Sequence, residues 1–324
     1  MLHKTLVPLM ALSLGALPAL ADVPRVVTDL PPVAALVDQV LGDLGSPTLL
    51  VASGADAHSY QLRPSQARAL QQADLVVWVG PQMTPWLQRA VDGRDHGDLL
   101  TLLTVPGTHL RNFDQEIAAD AHDGKDEHAH EHEHEHEHED AGDHGHDHDH
   151  SGIDPHAWLD PRNAELWLQA IAQALSARDP ANAAAFAANA ERAAAEMQAL
   201  DAELEARLAP LRGKPFVVFH DAYGYFTDRY GVGPTIAVSL GDASTPSAAR
   251  LQSIRQQAAQ GNAHCAFPEA NHDRRLIASV TEGSGVRAGE ALDPEGSTLS
   301  PGPQLYTELL RNLGSTLADC LSRP

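Results

Sequence analysis

Cysteine is almost missing from this 324-residue chain, which has only Cys265 and Cys320. Neither has a partner at CxxC spacing, so a metal or redox site built on that motif is excluded. Aromatic residues make up 5% of the chain, and Lys and Arg number 22 against 44 acids. With neither a basic face nor an aromatic stripe, nucleic-acid binding is not expected. No Gly-rich phosphate loop and no nucleophile elbow occurs. Beyond the N-terminus no apolar run approaches the roughly eighteen residues of a membrane-spanning helix.

The N-terminus itself reads MLHKTLVPLMALSLGALPALA. A short basic start, a Leu/Ala-rich run and Ala19-Leu20-Ala21 have the pattern of a secretory signal over residues 1–21, rather than a retained membrane anchor. Cleavage after Ala21 predicts a soluble, exported protein starting at Asp22. No Cys near that position offers a lipid anchor. In an exported chain Cys265 and Cys320 pair by default, with a two-Cys zinc site as the alternative.

What the chain has in abundance is histidine. Eleven of its 19 histidines fall between Ala121 and His150, at His122, His128, His130, His132, His134, His136, His138, His144, His146, His148 and His150. The rest of that stretch is Glu, Asp, Ala, Gly and one Lys. With the preceding residues from Asp114, it carries fifteen acids and one Lys, most of the net charge of −22, and the remainder is ordinarily acidic. With no apolar periodicity, residues 114–150 cannot offset the entropy of ordering and are expected to be a disordered loop. Imidazole among carboxylates suits Zn(II), Cu(II) or Ni(II) in weak, multiple sites. The pattern HExxH at His130–His134 is accidental, because that motif needs a packed helix.

Elsewhere, β-branched runs alternate with helical patterns. Strands are expected at 25–28, 47–52, 74–80, 99–104, 215–219, 235–239, 263–267 and 286–292, each followed by helical sequence except the fourth, which the acidic tract follows; the helices after the fifth and seventh are expected at 221–230 and 271–282. A longer helical run spans 181–211. The fold class is α/β: two (β/α)4 lobes with parallel sheets, joined by one long rigid helix, with a site in the cleft between them. The expected divisions are an N-terminal lobe over 22–178 containing the His/acid loop, a connecting helix over 179–211 and a C-terminal lobe over 212–324.

Seven histidines lie outside the signal and the tract. His58 follows the second strand in GADAHSY, His156 follows Asp154-Pro155 just beyond the tract, and His220 ends the strand FVVFH. Asp293 follows the last strand. His58, His220 and Asp293 thus sit at C-terminal strand ends, where open α/β sheets place ligand sites. His96, His109, His264 and His272 are read as ordinary structural or surface histidines.

The segments GADAHSYQLRPSQ, DPHAWLDPRN, FVVFHDAYGYF and ALDPEG, in this order, resemble the metal-binding solute-binding proteins of ABC transporters, over the whole mature chain. A His at position 220 is similar to the zinc-specific members, since manganese-type relatives carry a carboxylate there. The His/acid loop and the Cys265–Cys320 disulfide also look like the zinc-uptake type. The resemblance implies that His58, His156 and His220 bind Zn(II) as the transported ligand, with Asp293 or water as fourth ligand. Glu269 would steady an imidazole by accepting its N–H. Some zinc-type members have Glu before the first His; here Ala57 stands there. Three imidazoles and one oxygen make a tetrahedral zinc site and disfavour Mn(II). The implied partners are the membrane permease of an ABC importer with its cytoplasmic ATPase; the loop is expected to collect zinc, to sense it, or to dock a periplasmic metal chaperone. A monomer is expected, and no enzyme activity. A secreted zinc hydrolase, or a metal buffer or adhesin without a transporter, are the alternatives.

Overall fold

The computed structural model describes residues 23–51, 53–113, 152–239, 241, 243, 245–260 and 263–323. The signal segment and the His/acid tract lie outside the described residues. The first sheet consists of β1 (Val26–Thr28), β2 (Thr48–Leu49), β3 (Leu75–Trp78) and β4 (Asp98–Thr101), all parallel, in the order β2-β1-β3-β4. The second consists of β5 (Phe216–His220), β6 (Thr235–Ser239), β7 (Cys265–Phe267) and β8 (Arg287–Ala288), ordered β6-β5-β7-β8 and also parallel. Each sheet therefore reverses its winding beside its first strand, which opens a crevice at the carboxyl ends.

Period-two alternation decides what each strand face covers. In the first sheet Val26, Leu75 and Val77 point into the main core, while Val27, Val76 and Trp78 pack on the other face with Leu70, Leu87 and Val91. Those three come from α2 (Pro64–Gln72) and α3 (Pro85–Asp92). In the second sheet Phe216, Val218 and Phe267 join the main core, and Val217, Phe219 and Ala266 face Ile254, Ile277 and Val280. These belong to α7 (Ala248–Ala259) and α8 (Arg274–Thr281). The inner faces of both sheets share one continuous core, so the lobes are welded rather than tethered.

The weld runs along α5 (Ala183–Leu208), a helix of 26 residues and about 39 Å at roughly 1.5 Å per residue. It buries Phe186, Ala190, Ala193, Met197, Leu200, Leu204 and Leu208, a stripe at three- and four-residue spacing. That stripe packs on α4 (Pro161–Arg178), α1 (Pro31–Leu41) and α9 (Leu305–Leu321). Gly314 of α9 has no Cβ because one would lie 2.5 Å from Leu204 Cδ2. The last helix and the turn before it also reach the first lobe: Tyr306 Oη donates to Trp158 O at 2.6 Å, and Gln39 Nε2 donates to Pro303 O at 2.7 Å. The Cys265–Cys320 disulfide ties α9 to β7 across 55 residues, a closure contributing about 4 kcal/mol in the chain-entropy view.

Several elements are shorter than the sequence suggests, for local reasons. The last strand ends at Ala288 rather than Leu292, and the Phe267 ring lies where a Cβ of Gly289 would be, 2.3 Å away. Pairing resumes only as the isolated bridge Glu269–Leu292. The helix expected from Asp221 is α6, Gly224–Tyr230, and the one expected from Asn271 starts at Arg274, where Asp273 caps it by accepting from Arg275 N at 2.9 Å. Among the described residues no helix is long and apolar enough to cross a membrane.

Candidate metal centre

His58, His156 and His220 converge in the crevice between the sheets, each offering a ring nitrogen within 4.8 Å of the others. Their ring centroids are 5.4, 6.0 and 5.2 Å apart for the pairs 58–156, 58–220 and 156–220. Among the described residues this is the one group of three or more His, Cys, Asp or Glu side chains so placed.

Local sequence explains how each is held. His220 closes β5, so its position follows from the sheet register; it pairs with Ser239 of β6. Its Nδ1 lies 2.8 Å from both carboxylate oxygens of Glu269, just beyond β7. Tyr223 Oη donates to the same carboxylate at 3.0 Å. His156 sits in a turn made by Asp154-Pro155. Asp154 Oδ1 accepts from His156 N at 3.0 Å and lies 2.8 Å from His156 Nδ1. Asp160, further along the same motif, caps α4 by accepting from Arg162 N at 3.0 Å. Trp158 Nε1 crosses to Pro294 O in the second lobe at 2.8 Å. His58 is placed through its backbone, donating from N to Asp56 Oδ1 at 2.9 Å. Ala57 O accepts from Trp86 Nε1 at 2.7 Å.

The protonation pattern follows from these partners. A carboxylate only accepts, so Nδ1 of both His156 and His220 carries hydrogen and Nε2 faces the crevice. The two Nε2 atoms stand 3.4 Å apart. Two nitrogens at about 2.0–2.1 Å from one tetrahedral zinc would be about 3.3–3.4 Å apart. Burial, with repulsion from His220, holds His156 well below the usual imidazole range. Burial lowers His220 too, but the Glu269 charge and hydrogen bond outweigh it and raise His220 overall. The pair is thus asymmetric, with protonation disfavoured at His156 and favoured at His220. Burial also pushes Asp154 up to about 7 against the pull of its hydrogen bonds and Arg111, and Glu295 up to about 8.

Asp293 lines the same cavity as His58 and His220 but is outside the group of three. Its Oδ1 accepts from Ser297 N and Oγ at 2.9 and 3.1 Å, and its Oδ2 from Thr298 N and Oγ1 at 2.9 and 2.6 Å. Four donors occupy the roughly four lone-pair sites of a carboxylate. With Asp56, Glu269 and Glu295 on the same walls, the crevice has an acidic lining that favours a cation.

Of the histidines read as ordinary, His109 pairs with Asp160, Nδ1 to Oδ2 at 3.1 Å, a contact within the framework around His156. His272 is different. It lines the crevice, stacks on Phe219 with centroids 4.0 Å apart, and has Nε2 3.9 Å from Glu269 Oε2. Its i,i+3 spacing from Glu269 in FPEANH was the available signal. Sequence reading also gave Arg111 no role. It donates from Nη1 to Asp154 Oδ2 at 3.2 Å and from Nε to Asp228 Oδ2 of α6 at 3.1 Å, linking the carboxylate behind His156 to the second lobe. A Cβ on Gly224 would lie 2.1 Å from that guanidinium. Close by, Asn112 bridges Ile153, so the two flanks of the tract meet at the base of the His156 turn.

Comparison with known proteins places these features. Residues 26–320 match the family model ZnuA, described as zinc-uptake complex component A, periplasmic. The chain is 60% identical over 319 residues to the high-affinity zinc uptake system protein ZnuA of Paracoccus denitrificans, covering 98% of each chain. It is 36% identical over 307 residues to the protein of that name from Brucella suis, covering 92% of each. A ZnuA crystal structure superposes with a TM-score of 0.73 over 93% of this chain and 100% of the other, at 22% identity, which is a likeness of fold.

Proposed function

The chain belongs to the zinc-uptake complex component A periplasmic family, and from that premise we propose that it grips one Zn(II) ion through Nε2 of His156, Nε2 of His220 and a ring nitrogen of His58. It is a binding protein and not an enzyme. It captures zinc with high affinity and delivers it to the membrane permease of an ABC importer driven by a cytoplasmic ATPase. The observation that carries the site is the 3.4 Å separation of two Nε2 atoms whose Nδ1 atoms are both committed to carboxylates. That spacing is already the one a tetrahedral zinc requires.

Water is the fourth ligand in this reading, because the Asp293 oxygens are occupied by Ser297 and Thr298. The two carboxylates nearest the imidazoles, Asp154 and Glu269, hold ring N–H groups rather than serve as a base for hydrolysis. The tract, inserted just before Asp154-Pro155-His156, acts as a weak, fast-exchanging collector or sensor of zinc, or a dock for a metal chaperone. The protein works as an exported monomer in the periplasm, without a lipid anchor. Zinc competition on a chain lacking residues 122–150 tests the reading. One tight zinc is expected, weakened in His58→Ala, His156→Ala and His220→Ala; retention of parent affinity by all three would assign the site elsewhere.

A further inference from the structure

Exposure grades along the crevice wall. The side chains of His156 and His220 are 0% and 2% exposed, whereas that of His272 is 23% exposed. His272 nevertheless lines the same cavity as His58 and His220, and its ring centroid is 6.3 Å from that of His220. That is close to the 6.0 Å between His58 and His220, two members of the metal group. An ion held by His272 is therefore about one ligand exchange from the buried set.

The ring is also fixed in place. It lies nearly parallel to Phe219, at 18°, on the strand that ends in His220. Its backbone N donates to Glu269 O at 3.3 Å. On one side Asn271 Nδ2 donates to Ser297 Oγ at 2.6 Å, and on the other Asp273 caps α8. The gap of 3.9 Å from Nε2 to Glu269 Oε2 is too long for a hydrogen bond. Glu269 is already engaged by His220 and Tyr223, so His272 is not needed to hold it. A preorganised imidazole, partly open to solvent and walled by Glu269 and Asp56, has the make-up of a stepping position for a cation.

We propose that His272 is a transfer ligand: it takes an arriving Zn(II) ion at the mouth of the crevice and hands it inward to His58 and His220. This rests on the three-histidine reading. The step is a ligand exchange without redox change. A neutral ring nitrogen of His272 donates its lone pair to hydrated zinc and displaces one water. The Zn–N bond to His272 and one Zn–water bond then break as bonds to His58 and His220 form, and the displaced water goes to solvent.

A ligand used only in transit lowers the barrier in both directions and leaves the equilibrium alone. The experiment is stopped-flow zinc association, chelator-chase dissociation and competition titration on the full mature chain, comparing parent, His272→Phe and His272→Gln. The Phe variant keeps an aromatic stack on Phe219; the Gln variant carries the test if the Phe variant does not fold. Both rate constants should fall together, by about tenfold, with Kd unchanged within about twofold, since an on-rate set by capture moves independently of final affinity. Unchanged association, or a Kd that rises because dissociation alone speeds up, overturns the transfer role and leaves a structural one. A parent chain with no tight zinc removes the three-histidine reading and this proposal with it; a tight parent with unchanged variant rates removes only this proposal.

Discussion

His156 and His220 differ from His58 in how the chain supports them. The first two are buried, each ring nitrogen distal to the crevice faces a carboxylate at 2.8 Å, and their Nε2 atoms already stand at zinc spacing. His58 lies half-buried on a loop after β2, positioned by Asp56 through its main chain, and its ring is further from His220 than His156 is. In the proposed site two ligands thus form a fixed wall spanning both lobes, and the third comes to it on the loop. Because the lobes share one core along α5, opening the whole molecule would break a continuous apolar contact. Movement of the loop bearing His58 costs far less, which fits capture by a local change rather than by a wide hinge.

The largest effects should come from the wall. His220→Ala or His156→Ala should weaken zinc binding by more than about a hundredfold, beyond the roughly 10–100-fold expected for loss of a partner behind a ligand. His58→Ala should cost less than either, because the remaining pair is preorganised. Competition titration with a chelator of matched affinity ranks the three; if His58→Ala were the most damaging, the loop would be the anchor and the comparison would be reversed.

Next come the carboxylates. Glu269→Gln keeps an acceptor for His220 Nδ1–H but removes its charge, and should weaken zinc about 10–100-fold. It should also lower the His220 pKa, since the Glu269 charge is what raises it. In the parent, zinc must displace the proton on His220, so affinity should fall by about tenfold per unit as pH drops below the raised His220 pKa. His156, lowered by burial, adds no second proton near neutrality. The slope should therefore be one proton, seen as proton release by calorimetry in buffers of different ionisation heat, and should set in at lower pH in Glu269→Gln. A two-proton slope would mean that a second imidazole of the site, His58 or His156, also releases a proton as zinc binds.

How far this site can be read from the sequence divides along the same line. Strand-end position marked His58 and His220, because periodicity locates strands and open α/β sheets bind ligands at their carboxyl ends. His156 has no such position; Asp154-Pro155 and the family resemblance singled it out. The fold class is legible because each strand alternates between two buried faces, as at Val26/Val27 and Val76/Val77. Arg111 is not legible: its partners, Asp154 and Asp228, lie 43 and 117 residues away, and no local pattern encodes a pairing across lobes. His272 is only half legible: its i,i+3 spacing from Glu269 is local, whereas its stacking on Phe219 joins separate β–α units.

The smallest effect should be at Asp293. In Asp293→Asn the side chain keeps one oxygen, so one of the pairs of bonds from Ser297 or Thr298 is lost and an amide N–H meets a backbone N–H. Stability should fall by about 1–2 kcal/mol, as for a lost cap, measured by thermal melting without metal. Zinc affinity should change by less than about threefold, because a carboxylate with its lone pairs taken by four donors has none to give to zinc. An affinity loss equal to that of His58→Ala would require Asp293 to leave Ser297 and Thr298 when zinc binds. The loop at 293–298 would then move as well as the loop bearing His58, and two mobile ligands, not one, would close on the fixed wall of His156 and His220.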